Sequence, residues 1–581
     1  MNWLPYHSFP YGAAYEKRVA IVAAERPSEV RGKALRRGAA FFPPPIRPGI
    51  CFGVALCCLL GWPLRAAPLV GIGQNFIGST YGLNDTAIPP DSNGAVGPNH
   101  FVELINGRFA VYGKTNGGLL KSMTDLSFWN QAGITFRAGW DITDPRIVYD
   151  PTVQRWFAAQ VDFDPSSVIN TNRFLLGVSA NTDPTGAWKA VAIPSDPGGN
   201  NFGDFPTFGL DAQGVYLSAV MFDASGNAIG STLLSVPKAG LLLNPPVITN
   251  RTWFGILNLA TRGYVLQPAV CVDGSPAGNV LAAGSLGYDN VTGPVTNTTL
   301  ISSTIQNAAG PGSATLASAT TTTVPGYTVP FNPFQPDGSD NLDDGDSRFS
   351  ASVYRVGGVL FAVHGTEVNN VAAIRWYRIN ATNHAVLESG TITNSTLELF
   401  YPSIAANTNG TIVIGCNGSS LSSFVSCYAI VGQTVNGVTT FGNLLLLRAG
   451  TASYQDQPGM DPTLYNSRWG DYSATSVDPS NPSSFWTIQM YPSGPAAWST
   501  QITQLLTVPG PVPLTAVRTG TNLVVSWPGS TALLQLQSAT NVVAGSFWSP
   551  VTQPPVTSGN IASVLLPASG SRQFFRLVSI P

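Results

Sequence analysis

One unit recurs along this chain: a polar residue, a short apolar strand, a Gly/Asn/Pro turn and a second apolar strand. It opens at Asp144 (DPRIVYDPTVQRWFAAQ), Asp204 (DFPTFGLDAQGVYLSAV), Gln267 (QPAVCVDGSPAGNVLAAG), Asp346 (DSRFSASVYRVGGVLFAV), Tyr401 (YPSIAANTNGTIVIGC) and Asp471 (DYSATSVDPSNPSSFWTIQ), with a blurred copy at Asp91 (DSNGAVGPNHFVELIN). The offset from the opening residue is 12 to Trp156, Tyr216 and Val413, and 14 to Leu281, Leu360 and Phe485. An even difference matters because side chains alternate faces along a strand, so a hairpin longer by two residues keeps its second strand in phase. Strand-only repeats of this kind predict an all-β fold: a seven-bladed β-propeller over residues 69–508, with the six named residues in matching core positions. Further apolar segments, and edge strands such as WKAVAI, complete four strands per repeat. After the Pro/Gly linker PGPVPLT, residues 514–581 alternate as short strands, which predicts a small immunoglobulin- or fibronectin-like β-sandwich.

Only 10% of the residues are charged and the formal net charge is −2. With no Lys/Arg cluster in the body of the chain, nucleic acid and anionic membrane are poor candidates as partners. Residues 1–67 read differently. Arg31, Lys33, Arg36 and Arg37 precede the apolar run Cys51 to Trp62, which ends at Arg65, Ala66 and Ala67. Basic region, short apolar run and small-residue exit resemble a secretory signal, and the run is short for a membrane span. The expectation is an exported, monomeric protein, secreted, periplasmic or on the cell surface. Beyond the leader only Cys271, Cys416 and Cys427 remain. Cys416 and Cys427 flank a polar loop between two apolar strands, where a loop-closing disulfide and a pair of buried thiols are both open readings; the export expectation favours the disulfide. Cys271 reads as core.

GAVGPNHFVELIN, DPRIVYDPTVQRWF, DPTGAW and RWGDYSATSVDP resemble motifs of a family of uncharacterised secreted bacterial propellers related to the sialidase-like superfamily. The likeness covers most of the stretch from Asp91 to Tyr491 and implies a fold but no activity. The tail pattern W…LQSATN…W..V…FFRL is similar to a C-terminal module of secreted proteins from environmental bacteria, which implies export and display.

Equivalent opening residues would bring Asp91, Asp144, Asp204, Asp346 and Asp471 to one end of a central channel. Such carboxylates bind a cation or pair for acid/base work, or they cap backbone N–H groups of the adjoining turn; repetition favours the caps. Residues that break the repeat are more telling of chemistry. Arg146, Arg348 and Arg468 stand close to opening residues, Tyr401 replaces an opening Asp, and Tyr472 follows Asp471. Three guanidiniums around a carboxylate, with a Tyr nucleophile beside an acid, are the sialidase arrangement. Arg146, Arg348, Arg468, Tyr401 and Asp471 are therefore the catalytic candidates, although the sialidase Asp-box survives only as an echo in Asp183, Gly186 and Trp188. The acidic loop Asp337, Asp340, Asp343, Asp344 and Asp346 offers oxygen ligands for Ca²⁺, or is a solvated loop without metal. Four histidines give no zinc cluster, and no nucleophile elbow, P-loop or dinucleotide fingerprint is present, so no other cofactor is expected. The leading expectation is a non-catalytic propeller binding a glycan or protein through loops on one ring face, with Trp129, Trp140, Trp253 and Trp498 as stacking platforms. A sialidase-like glycoside hydrolase is the alternative.

Overall fold

In the computed structural model, residues 68–579 are described apart from 168–170, 290–292, 311–312, 340, 459–464, 509–511, 513, 529–533, 542–546, 559–560 and 569–572. The basic leader and signal-like segment, residues 1–67, lie outside the described residues. No described helix is long and apolar enough to cross a membrane.

The fold is all-β, built from antiparallel sheets that follow one another along the chain. The first holds strands Gly94–Val96, His100–Ile105, Arg108–Gly113 and Leu119–Met123; the second Asp141–Asp150, Arg155–Phe163, Arg173–Ser179 and Trp188–Pro194; the third Phe202–Leu210, Gly214–Phe222, Ala228–Pro237 and Thr252–Leu257. The fourth holds Tyr264–Pro268, Asn279–Ala283 and Asn297–Gln306, flanked by Thr315–Leu316 and Thr320–Tyr327; the fifth holds Tyr354–Val356, Val359–Val368, Val371–Asn380 and Val386–Ile392. The sixth is Glu398–Ala406, Thr411–Ser420 and Ser423–Val435, flanked by Val438–Phe441 and Leu445–Arg448. The seventh joins Ala474–Val477, Ser484–Gly494 and Ala497–Val508 to Leu69–Thr80, so the start of the described chain supplies an edge of this seventh sheet.

Each sheet buries both faces. Trp129 and Trp156 fill the core between first and second sheets, Phe174 and Phe208 that between second and third, and Tyr216 and Val280 that between third and fourth. Leu281 and Tyr377 pack between fourth and fifth, Trp376 and Ile414 between fifth and sixth, and Val413 and Phe485 between sixth and seventh. Trp486 and Phe101 then join the seventh sheet back to the first. Two buried faces explain why second strands such as Gly214–Phe222 are buried at every position, since neither side of such a strand can be polar. They also correct the expected register. All six marker residues are core, but Trp156, Leu360 and Phe485 face the preceding sheet while Tyr216, Leu281 and Val413 face the following one.

The residue that caps the repeat is not the opening one. Asp150, Asp211, Asp273, Asn407 and Asp478 stand at the tips of the first hairpins, where each side-chain oxygen accepts the N–H of the residue two further on, at 2.7–3.0 Å. Several of these tips also reach the next sheet. Asp150 pairs with Lys238 at 2.5 Å, Asp211 accepts the N–H groups of Ala277 and Gly278, Asn407 donates to the Pro482 carbonyl, and Asp478 pairs with Lys114 of the first sheet. One polar side chain therefore shapes a turn and fixes its neighbour.

The expected Cys416–Cys427 disulfide is overturned, while Cys271 is core as expected. Cys271, Cys416 and Cys427 are free and buried. Cys416 lies opposite Tyr428 and Cys427 opposite Asn417, one residue out of step, so the two thiols leave the sheet on opposite faces and sit in different cores. Beyond Val508, strands Thr515–Thr519, Asn522–Pro528, Ile561–Pro567 and Val556–Ser558 form one small sheet, and Leu534–Ala539, Ser549–Pro550 and Phe574–Ser579 another. Both contribute to one core around Trp527, Leu536 and Val564, to which Leu69, Leu506 and Val508 add.

Candidate functional site

The innermost strands begin with a shared irregularity. Asp91, Asp144, Phe205, Val265 and Tyr401 have φ between 43° and 61°, the left-handed region that L side chains seldom occupy. For the last four, the pairing register with the next strand shifts just there, as in a β-bulge. Bulges re-aim side chains: Phe205 and Val265 join one core with Tyr472, and Tyr401 another with Phe400 and Trp469. The opening carboxylates are thus not strictly equivalent: Asp204 precedes its bulge residue, Phe205, and Asp346 is taken up by Arg348.

Three carboxylates nevertheless meet. One oxygen from each of Asp91, Asp144 and Asp471, drawn from the edges of the first, second and seventh sheets, lies within 4.8 Å of the others. The capping role expected of them is not what they do. Asp144 accepts from the Thr143 hydroxyl at 3.1 Å, and Asp471 receives Arg468 Nη2 at 2.6 Å. Asp91 accepts the Asp471 N–H and the Asn106 amide, both at 2.8 Å. Of the opening carboxylates, Asp204 takes the local N–H of Phe205 and Asp346 that of Arg348 at 2.9 Å. Burial first, and then the Asp471 charge, push the Asp91 carboxyl up to about 7. Burial and the adjacent Asp91 and Asp471 hold Asp144 well above the carboxylate range, and burial with Asp144 lifts Asp204 to about 7.

The arginine and tyrosine candidates gather around this group. Arg146 stacks on the Tyr472 ring at 3.6 Å, and Arg146 and Arg348 both lie near the Phe205 ring, at 5.4 and 4.5 Å from its centroid. Each guanidinium is engaged within the protein. Arg146 donates to the carbonyls of Pro206 and Ser350, Arg348 forks onto both oxygens of Asp346 at 2.8 and 2.6 Å, and Arg468 bridges Asp471 and Asp343. Tyr472 donates to the Pro145 carbonyl at 3.0 Å. Among the described residues, the Tyr401 hydroxyl, buried beside Asp343, Asp471 and Arg468, has no hydrogen-bond partner, and neither does Arg146 Nη2. Burial holds the Tyr401 phenol well above its ordinary range.

Other expected site residues are dispersed. In the acidic loop Asp343 and Asp346 serve Arg468 and Arg348, Asp344 is buried, Asp337 is exposed and Asp340 lies outside the described residues, so no oxygen cage forms among the described ones. Trp129 and Trp498 are fully buried and donate to Gln160 and the Ala87 carbonyl, which removes them as platforms; Trp140 is half-buried under Arg137, and Trp253 is exposed. The Asp-box echo is a turn: Asp183 accepts from Thr185, and Trp188 donates to the Pro184 carbonyl. Sequence reasoning missed Phe205 and Asn106, the latter bridging Asp91 and the Asp144 N–H at 2.8 and 2.9 Å. The Pro that follows Asp144, Phe205 and Tyr401 was the available signal.

Comparison with family models and with curated proteins returns no match. Among solved structures the chain is similar to a protein of unknown function from Dyadobacter fermentans DSM 18053, at 10% identity and TM-score 0.31, over 75% of this chain and 97% of that one. It is also similar to the Hadza microbial sialidase Hz136, at 9% identity and TM-score 0.32 over 72% and 65%, and to an endo-arabinase from Bacteroides thetaiotaomicron VPI-5482, at 10% identity and TM-score 0.27 over 65% and 95%. Likeness at this level bears on neither activity nor ligand.

Proposed function

We propose that this chain is a seven-bladed β-propeller, exported and followed by a small β-sandwich, that binds a glycan or protein ligand without catalysis through the ring face carrying Asp91, Asp144, Asp471, Arg146, Arg348, Arg468 and Tyr401. The seven-blade reading draws on the unbroken succession of inter-sheet cores, which returns from the seventh sheet to the first. The sandwich reading draws on two small sheets sharing one core, and export on the leader sequence.

The observation that carries the binding reading is the state of the three guanidiniums. Each already holds internal partners, so a clamp on a substrate carboxylate would first have to break them. A phenol whose ionisation is suppressed by burial is moreover a weak nucleophile. The hydrolase alternative keeps one point in its favour: all five of its candidate residues gather on the same face. A glycan array probed with the purified full chain, run beside fluorogenic sialosides and arabinosides, separates the two. Retention of a glycan class without turnover supports binding; turnover that Tyr401→Phe abolishes would establish the hydrolase.

A further inference from the structure

We propose that the pair of small sheets after Val508 carries a binding face of its own, for an anionic polysaccharide, centred on Trp548 and Arg576 and separate from the ring face. In the sheet of Leu534–Ala539, Ser549–Pro550 and Phe574–Ser579, side chains alternate between a packed and an open face. Leu534, Leu536, Phe575 and Leu577 line the shared core. Gln535, Gln537, Phe574, Arg576 and Val578 therefore point outward, and none of them is buried. Pairing sets Gln537 directly opposite Arg576, so the two stand side by side on the open face.

This face holds its cation in place without neutralising it. Nε and Nη2 of Arg576 both donate to Gln537 Oε1, at 2.9 and 2.8 Å, and the guanidinium lies over the Trp548 ring at 4.5 Å. A neutral amide and an aromatic ring fix the geometry and leave the charge uncompensated. The surrounding sequence supplies no carboxylate side chain either: after Asp478 the charged side chains are Arg518, Arg572 and Arg576. A segment whose charged side chains are all positive, on a chain of formal net charge −2, is complementary to an anionic partner. The aromatic rings select the kind of partner. Trp548 is half-buried, and Phe547 beside it is 85% exposed. Such rings stack on the apolar faces of sugars, while glutamine amides serve hydroxyls and a guanidinium fork serves carboxylate or sulfate oxygens. An anionic membrane is held by clusters of cations, whereas here a single guanidinium sits within an aromatic and amide face.

The test is affinity electrophoresis of the full chain through gels containing polygalacturonate, dextran sulfate or neutral dextran. Either polyanion should retard the protein, less so as salt is added, and dextran should not. The stronger of the two identifies carboxylate or sulfate as the recognised group. Arg576→Gln and Trp548→Ala should each weaken retention about tenfold, and Arg576→Lys should recover only part of it, because Lys lacks the planar fork. Arg518→Gln, in strand Thr515–Thr519 of the other small sheet, should bind as wild type. Retardation by neither polyanion would overturn the proposal. So would an equal loss in Arg518→Gln and Arg576→Gln, which marks diffuse charge attraction. Binding to phosphatidylglycerol vesicles in preference to both polyanions, lost in the same variants, would overturn it in favour of a membrane contact. Should Trp548→Ala fail to fold, Arg576→Gln and Arg576→Lys, at an exposed position, decide. Arg468 and Tyr401 report on the ring face, so either site can fail its test while the other passes.

Discussion

Glu103 latches the chain's first described strand to the rest of the fold, and its removal should open the molecule there. The residue is fully buried in strand His100–Ile105. Its Oε1 accepts the Ser79 N–H at 3.2 Å and the Thr500 hydroxyl at 2.5 Å; its Oε2 accepts the Ser79 and Tyr112 hydroxyls, both at 2.8 Å. First sheet, strand Leu69–Thr80 and strand Ala497–Val508 thus converge on one carboxylate. Gly78 makes the approach feasible, because a Cβ there would stand 2.7 Å from Glu103 Oε1 and 2.5 Å from Thr500 Oγ1. Glu103→Ala strands three hydroxyls and weakens one N–H, which still reaches Thr500 Oγ1. At about 1–3 kcal/mol per unsatisfied buried group, less whatever relaxation recovers, the loss is roughly 4 kcal/mol. Glu103→Gln keeps the shape and one acceptor, and hydroxyls can rotate to accept from the new amide, so its cost is nearer 1–2 kcal/mol. Hydrogen exchange reads this locally. Amides of Leu69–Thr80 should exchange up to about a thousand-fold faster in Glu103→Ala, since every 1.4 kcal/mol is tenfold. Exchange there no faster than wild type, or a denaturation cost below about 1 kcal/mol, would refute the latch.

Other expectations follow from buried groups. Lys238→Met leaves Asp150 charged and unpaired between second and third sheets and should cost about 3–5 kcal/mol in urea denaturation, whereas Lys238→Met with Asp150→Asn recovers much of that loss. Alkylation of the native protein should label none of Cys271, Cys416 and Cys427, and denaturation without reductant should expose all three; intact mass would betray any bridge. Burial lifts the Asp85 carboxyl to about 7 from 3.8, with backbone bonds from Ala87 and Thr86 opposing it. Its contribution is therefore complete below about pH 4, where folded and unfolded states are both protonated, and is lost as pH rises through 7. Asp85→Asn should flatten the decline in stability between pH 4 and 8 relative to wild type; parallel curves would contradict this.

The spacing of apolar strands and turns carries the sheet architecture, because a strand buried on both faces must be apolar throughout and must stop at a polar tip. The tips themselves were legible in YDPT, LDAQG, VDGS, ANTNG and VDPS, where an Asp or Asn precedes its own turn. Attention to the opening residues hid them. A bulge inserts a residue without any compositional mark, so DFPT and DPRI look aligned on Asp although Phe205, not Asp204, takes the Asp144 conformation. The same limit defeated the disulfide, for a one-residue slip in the hairpin register sends Cys416 and Cys427 to opposite faces. Arg146, Arg348, Arg468, Tyr401 and Asp471 stood out because they broke the repeat. What the sequence did not reveal is that Asp343, Asp346 and two backbone carbonyls already occupy the guanidiniums, a matter of long-range placement.

The most direct measurement is calorimetric titration of the best glycan-array ligand into wild type, into Arg468→Gln with Tyr401→Phe, and into Thr408→Ala, an exposed turn residue at the other end of the innermost strands. Binding through the mouth predicts that the double variant loses at least tenfold in affinity while Thr408→Ala binds as wild type, a difference of about 1.4 kcal/mol or more. Equal affinity in all three, or loss confined to Thr408→Ala, would place the ligand elsewhere and contradict the assignment of this face.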